Sequence, residues 1–235
     1  MKYLSLLLML ALTQLLSGQD LQTELQKINA AYSELDKLSI EMSFSVYGDW
    51  QKHRHLQTES GKLDKRGSDL YYKVGDLEYL STPDYHLLCD HEQRQIAILK
   101  VFGQQVSPQL EQIIPLLQMT IDQLESFSLE QISEYQRRWT LNLPAQRSTY
   151  ARIIIEYDTR RYYITALRLY YGAAQPSIDS TLPPRMDIEY YRINDQPVFQ
   201  SSDFSISRFL RRSSSGFKAQ HAYASYEVID QYSSY

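Results

Sequence analysis

The residue types and motifs that this sequence lacks exclude several classes of function. It contains one cysteine, Cys89, so a disulfide within the chain is excluded. It has no surplus of positive charge, since the formal net charge is −4, and this argues against nucleic acid because nucleic-acid-binding domains are usually basic. Glycine is scarce, with 8 residues against 20 tyrosines, and no glycine-rich loop that would cradle a phosphate is present.

The motifs of catalytic and metal sites are missing as well. There is no Gly-x-Ser-x-Gly or His-Glu-x-x-His sequence, and the carboxylates are scattered rather than paired. His86, Cys89 and His91 are close in sequence, but His86 and Cys89 would point to opposite faces of a strand. We therefore predict no catalytic residue, no metal and no cofactor, and a protein that is not an enzyme.

Residues 1–19 have the order of a secretory signal peptide. Lys2 supplies the positive start, Leu4 to Leu16 the apolar core, and Ser17-Gly18 the small residues near a cleavage point. The apolar run is shorter than the ~20 residues that a membrane-spanning helix needs. We predict cleavage near Gly18 or Gln19 and a single exported domain over 20–235.

The stretch from Ser39 to Val101 alternates apolar and polar residues between closely spaced turns. A period of two is typical of half-buried strands, and connections this short join antiparallel neighbours. The sequence therefore predicts an antiparallel meander, which begins with a strand carrying Ile40, Met42, Phe44 and Val46 on one face. Its further strands are predicted at Lys62–Leu63, Leu70–Val74, Leu77–Leu80, Tyr85–Cys89 and Ile96–Val101.

Helical patterns come before and after this meander. An amphipathic helix is predicted from Leu21 to Leu38, and a second apolar stripe that includes Ile113, Leu117 and Ile121 follows the meander. Ser128-Leu129-Glu130-Gln131 has the form of a capping box and predicts a short helical turn. Strands resume at Arg138, with segments predicted at Ala151–Asp158, Tyr162–Tyr171, Arg185–Ile193 and Tyr223–Asp230, while 211–216 is expected to be a flexible loop. The predicted fold is mainly β (α+β), a strongly curved antiparallel sheet or unclosed β-barrel with helices as a lid or plug.

This order of elements resembles the LolA-like family of periplasmic outer-membrane lipoprotein carriers. The resemblance is carried by the helix that ends in Leu38 and by four short segments. These are Ile40-Glu41-Met42-Ser43-Phe44-Ser45-Val46, Gly61-Lys62-Leu63 with Lys65-Arg66, Leu70-Tyr71-Tyr72, and Leu88-Cys89-Asp90. In that family an unclosed barrel holds the acyl chains of a lipoprotein and helices form a lid over the opening.

The resemblance implies a site and a partner. The ligand would be a lipoprotein acyl chain or a lipid, held in a periplasmic monomer with at most transient membrane contact and possible envelope-protein partners. Arg66 is the nearest match to the family's arginine that ties barrel to lid, so it is the expected lid switch. The alternative is an envelope interaction module with the same fold and a packed core. The expected cavity lining is Met42, Phe44, Val46, Leu70, Tyr72, Val74, Leu88, Ile96 and Ile98, with Ile113, Leu117 and Ile121 from the lid.

Overall fold

The computed structural model describes residues 21–100, 123–144, 148–172, 183–214 and 216–230. Within these ranges the chain forms one α-helix, α1 (21–33), two short 3-10 turns and fourteen β-strands. The strands are β1 (Lys37–Tyr47), β2 (His55–Arg66), β3 (Asp69–Val74), β4 (Leu77–Ser81), β5 (Tyr85–Asp90), β6 (Gln95–Lys100), β7 (Ser126–Ser133), β8 (Gln136–Asn142), β9 (Tyr150–Asp158), β10 (Ile164–Tyr171), β11 (Arg185–Asn194), β12 (Leu210–Ser213), β13 (Gly216–Ala219) and β14 (Glu227–Asp230).

Twelve of the strands form one large sheet, in the order β14-β6-β5-β4-β3-β2-β1-β11-β10-β9-β8-β7. Neighbours are antiparallel except at one edge, where β14 pairs with β6 in parallel. The predicted meander is confirmed, because β1 to β6 pair in sequence order through short turns. The sheet joins this meander to a second one, β7 to β11, through the pairing of β1 with β11.

One face of the sheet packs on α1 and forms the larger core. Leu21, Leu25 and Ile28 of the helix are almost fully buried there. Side chains from strands as far apart as β3 and β8 join the same core, among them Leu70 and Trp139. A flat sheet does not bring such distant strands to one helix, so the sheet curves around α1, and this face is the concave face.

A second core lies on the opposite, convex face, over β3 to β6. Leu80, Leu87, Ile96 and Ile98 are fully buried in it, and they pack against residues of the segment 199–228, including Phe209 and Leu210. Cys89 is also buried in this core as a free thiol, and burial, together with the charge of Glu78, raises its pKa to about 12.

A glycine marks the closest approach of side chains on the concave face. A Cβ added to Gly61 of β2 would lie 2.7 Å from Cε2 of Phe44 and 3.0 Å from both Cγ of Met42 and Cγ2 of Val74. The Phe44 ring thus lies over bare backbone. Gly61 is not one of the glycines with positive φ, so its backbone conformation does not require glycine. A side chain is excluded because the Phe44 ring packs directly over the backbone.

Four local predictions were wrong. The strand predicted at Tyr223–Asp230 begins only at Glu227, because His221–Tyr223 form a 3-10 turn. The first helix ends at 33 rather than at Leu38, because Lys37 and Leu38 already pair with Arg66 and Lys65 of β2. The capping-box sequence at Ser128 lies inside β7, where pairing with β8 overrides the local helix signal. The region 211–216, expected to be a loop, belongs largely to the hairpin of β12 and β13.

Two predicted segments lie outside the described residues. These are the signal peptide, 1–19, and the lid stripe with Ile113, Leu117 and Ile121. Among the residues that are described, no helix has the length and apolar character needed to cross a membrane.

Candidate functional site: the concave face

The outer strands of the sheet expose apolar side chains on the concave face. Leu88 of β5 pairs with Ala97 of β6, which in turn pairs with Ile229 of β14, so the three form one row across the sheet. Leu77 and Leu99 flank this row on the same face. We call these five residues the open patch. The four large side chains are 37 to 48% exposed, and a contiguous apolar surface of this kind is typical of ligand or partner sites.

On the side of His86 the concave face next to the open patch is polar but uncharged, whereas Asp90 and Glu227 lie on the other side of the patch. His86 is buried on the concave face of β5, where its Nδ1 lies 2.9 Å from the hydroxyl of Tyr79 and 3.0 Å from that of Ser81. Burial lowers the pKa of His86, so its ring is neutral at neutral pH. Burial also raises the pKa of Tyr79. An apolar ligand on the open patch therefore meets no charge from these groups.

The other half of the concave face is already filled by α1. The Tyr32 hydroxyl accepts a hydrogen bond from the backbone N–H of Ile164, at 2.9 Å. The Tyr157 hydroxyl donates to Oε2 of Glu24, at 2.7 Å, and Lys27 donates to Oε1 at 2.9 Å. These contacts fix the helix over β8 to β11, so this part of the face is a packed core.

Glu24 is ionised although only 7% of the residue is exposed. Burial alone would raise the pKa of Glu24, but the hydrogen bonds from Lys27 and Tyr157 and the charges of Lys27 and Arg137 outweigh it and lower the pKa. A cleft of about 410 Å³ opens beside this carboxylate, between α1 and the strands β7 and β8. Its lining residues are Glu24, Leu129, Gln131 and Arg137.

The structure separates the described residues of the expected cavity into four groups. Met42, Phe44 and Leu70 are buried in the core under α1. Val46 is half-buried on the same face, and Tyr72 and Val74 are partly buried at the margin of that core, next to β4. Leu88 alone of the described set belongs to the open patch.

Ile96 and Ile98 do not share a face with the rest of that set. They point to the convex side and pack in the second core, while Ala97 and Leu99 occupy the concave positions of β6. Every residue from Ile96 to Leu99 is apolar, so a period of two did not distinguish the faces of this strand. Leu77 and Ile229 were missed as well. For Ile229 the reason is that only the pairing of β14 with β6 brings it beside Ala97.

Arg66 contacts the carboxyl-terminal segment in this structure. Its guanidinium donates to Asp69 at 3.0 Å and to the carbonyl of Gln200 at 3.4 Å, and it lies 4.6 Å from the centre of the Phe204 ring. The neighbouring Lys65 reaches a helix instead, because its Nζ donates to the carbonyl of Tyr32 at 3.5 Å. The lid segment is outside the described residues, so the switch role of Arg66 stays a prediction.

A buried carboxylate joins the carboxyl-terminal segment to the convex face. Glu78 is 3% exposed and accepts a hydrogen bond from the Tyr71 hydroxyl at 2.7 Å. Its Oε1 lies 2.6 Å from Nε2 of His91 and accepts from the Tyr223 hydroxyl at 3.3 Å. Burial would raise the pKa of Glu78, but the bonds from Tyr71 and His91 and the contact with Lys73 outweigh it and lower the pKa.

No family model and no curated protein matches this sequence. Solved structures are similar at low identity. A LolA superfamily protein from Nitrosomonas europaea is 8% identical with a TM-score of 0.35, covering 80% of this chain and 98% of its own. An outer membrane lipoprotein-sorting protein domain from Vibrio parahaemolyticus is 8% identical with a TM-score of 0.34, covering 78% and 97%. An uncharacterised protein from Thermus thermophilus is 9% identical with a TM-score of 0.43, covering 90% and 99%.

Proposed function

We propose that this protein is a periplasmic carrier, exported after removal of 1–19, that holds an acyl chain of a lipoprotein or lipid against the open patch and hands it on toward the outer membrane. The observation that carries the proposal is the patch itself. Leu77, Leu88, Leu99 and Ile229 present apolar surface on the concave side of a curved sheet, beside a neutral His86. The resemblance of the sequence to LolA-like carriers supports the same reading.

The energetics suit a site that binds and releases. Each methylene moved from water onto apolar surface gains up to about 0.8 kcal/mol when fully buried. On a face that stays partly open, only one side of an acyl chain is covered, so the gain per methylene is smaller. Such a site retains a chain long enough for transfer without holding it irreversibly. The expected contribution of Ile113, Leu117 and Ile121 would cover the other side of the chain.

The test is uptake of a fluorescent fatty acid, dansylundecanoic acid, by the mature protein. Leu88→Glu places a carboxylate at the centre of the open patch and should weaken uptake about tenfold or more, because the charge must be desolvated against the chain. Tyr191→Glu is the matched control. Tyr191 is 42% exposed, close to the 44% of Leu88, but it lies on the convex face, so this variant should bind as wild type does.

A second candidate is the non-carrier interaction module with a packed core. It is favoured by the burial of Met42, Phe44 and Leu70 under α1, which leaves no empty interior at those expected cavity positions. If wild type takes up no acyl probe and native lipid mass spectrometry finds no bound lipid, the carrier proposal fails and this module becomes the better reading.

A further inference from the structure

The edge strand β7 is the most exposed strand of the sheet. It is the last strand in the order and, among the described residues, pairs on one side only, with β8. Seven of its eight residues are exposed, including Leu129 at 43% and Ile132 at 38%. An edge of this kind offers unpaired backbone donors and acceptors to another extended chain.

Natural proteins usually blunt such an edge, and the opposite edge of this sheet shows how. There β14 has four residues, with acidic side chains at both ends, Glu227 and Asp230. By contrast, β7 is twice as long and contains neither proline nor lysine. Its one charged residue, Glu130, is paired with Arg138 on the convex face, at 2.9 Å. A register shift near Ile132 interrupts only the last part of β7, and 126–131 pair regularly with β8.

The cleft beside β7 indicates which kind of side chain a strand added along β7 would place there. Leu129 and Gln131 form the β7 side of the cleft, so alternate side chains of a strand added along β7 would point toward it. Arg137 lies across the cleft with 35% of its side chain exposed, 3.5 Å from Glu24. Because Glu24 already accepts hydrogen bonds from Lys27 and Tyr157, it can release Arg137 to a second carboxylate without being left unpaired.

We propose that β7 docks an extended peptide segment of another protein by β-strand addition, with an acidic side chain of that segment paired to Arg137 in the cleft. Backbone hydrogen bonds along β7 would provide affinity, and the cleft would provide selectivity. A second copy of this chain is a poorer occupant, because β7 carries only one carboxylate, Glu130, and that group is on the convex side. This site is separate from the open patch, which lies at the other end of the sheet.

The probe is a fluorescein-labelled peptide of alternating valine and threonine, as long as β7, with one central glutamate. Two otherwise identical peptides carry glutamine or lysine in place of the glutamate. In fluorescence anisotropy the glutamate peptide should bind about fivefold more tightly than the lysine peptide, because one partly exposed charge pair contributes roughly that difference in affinity. Hydrogen exchange of the amides in 126–133 should slow when it binds.

Variants of the chain separate the two parts of the proposal. Arg137→Gln should abolish the preference among the three peptides, and Arg137→Lys should keep it. Leu129→Lys should weaken all three, whereas Tyr191→Lys, a matched change at 42% against 43% exposure on the convex face, should not. Uptake of dansylundecanoic acid by Leu129→Lys should equal that of wild type, so failure here is distinct from failure of the carrier proposal.

Three results would overturn the proposal. The first is no binding of the glutamate peptide at millimolar concentration. The second is a preference that survives Arg137→Gln. The third is a concentration-dependent dimer in sedimentation that Leu129→Lys abolishes, because a second copy would then occupy the edge.

Discussion

The two halves of the large sheet bury opposite faces. In the helix-covered half, β1, β2 and β8–β11, the concave face packs on α1 and the convex face carries polar and charged side chains. There Glu156 lies 2.8 Å from Arg138 and 2.9 Å from Arg168. In the open half, β4–β6 and β14, the convex face is covered by 199–228 and the concave face exposes the open patch. Strand β3 is the boundary, since Leu70 joins one core and Tyr71 the other.

This difference shows how one continuous sheet can be rigid and still leave apolar surface exposed for a ligand. Each half has its apolar core cluster on a single face, so each is stabilised by a core of its own. The concave side thereby keeps an apolar region that folding itself does not use. Because the two cores are separate, a destabilising substitution in one half should increase local unfolding of the other half only weakly.

The largest expected effect is on the open half. Phe209→Ala removes a fully buried ring that lies 4.8 Å from the ring of Tyr223. It should lower the free energy of unfolding by about 3–5 kcal/mol, measured by urea denaturation. Hydrogen exchange should accelerate in β4–β6 and much less in α1. Val198→Ala, at a side chain that is 97% exposed, is the control and should stay within about 0.5 kcal/mol. Equal loosening of α1 would mean that the two cores act as one.

A second effect is expected where β2 passes under the helix-covered core. Gly61→Ala forces a methyl group against Phe44, Met42 and Val74 and should cost about 1–3 kcal/mol through overpacking. Ser60→Ala, its exposed neighbour on the other face, should cost less than about 0.5 kcal/mol. Thermal unfolding of the pair measures the difference. A Gly61→Ala protein as stable as Ser60→Ala would show that the Phe44 ring moves aside freely.

The anchoring of α1 gives a smaller effect. Tyr157→Phe removes the hydrogen bond to Glu24 but leaves that carboxylate with Lys27 and Arg137. We expect a loss of about 1–2 kcal/mol, as for a buried hydrogen bond to a charged group. Tyr162→Phe removes a hydroxyl that only accepts from the exposed Lys27 and should cost less than about 0.5 kcal/mol. If the two variants have the same free energy of unfolding, the hydrogen bond from Tyr157 to Glu24 does not stabilise the packing of α1.

The smallest effect appears only in acid. The folded state lowers the pKa of Glu78 below 4.5, so its contribution to stability is present above that value and is lost as the pH falls through the lowered pKa. The fall in urea midpoint between about pH 6 and pH 3 should therefore be shallower in Glu78→Gln than in wild type. Because Glu78 holds the open half, exchange in β4–β6 should show the change. A slope equal to that of wild type would contradict it.

The sequence predicted the sheet well because its signals there are local. Alternation in β1 and the turns between β2 and β6 determine strands and antiparallel pairing without reference to distant residues. The same local reasoning failed at Ser128, where the capping-box pattern is weaker than the pairing of β7 with β8. It also failed at Lys37 and Leu38, where pairing with β2 ends the helix early.

The candidate site was less predictable because it depends on which face each strand buries. Met42 and Ile96 look equivalent in sequence, yet one lies under α1 and the other under the carboxyl-terminal segment. That assignment follows from where 199–228 packs, a segment far from β6 in the sequence. Likewise, Ile229 joins the open patch only through a parallel pairing that no local pattern indicates.

The parallel pairing of β14 with β6 has a consequence for how the chain folds. Gln95 and Glu227 are hydrogen-bonded across a separation of 132 residues, so the open half is completed by one of the longest loop closures in the chain. Long closures are slow, and until this one occurs Leu80, Leu87 and Ile98 have no cover on the convex side. While residues 199–230 are still being synthesised, the first meander thus has two apolar faces rather than one. It is in that interval that the chain most needs protection from aggregation.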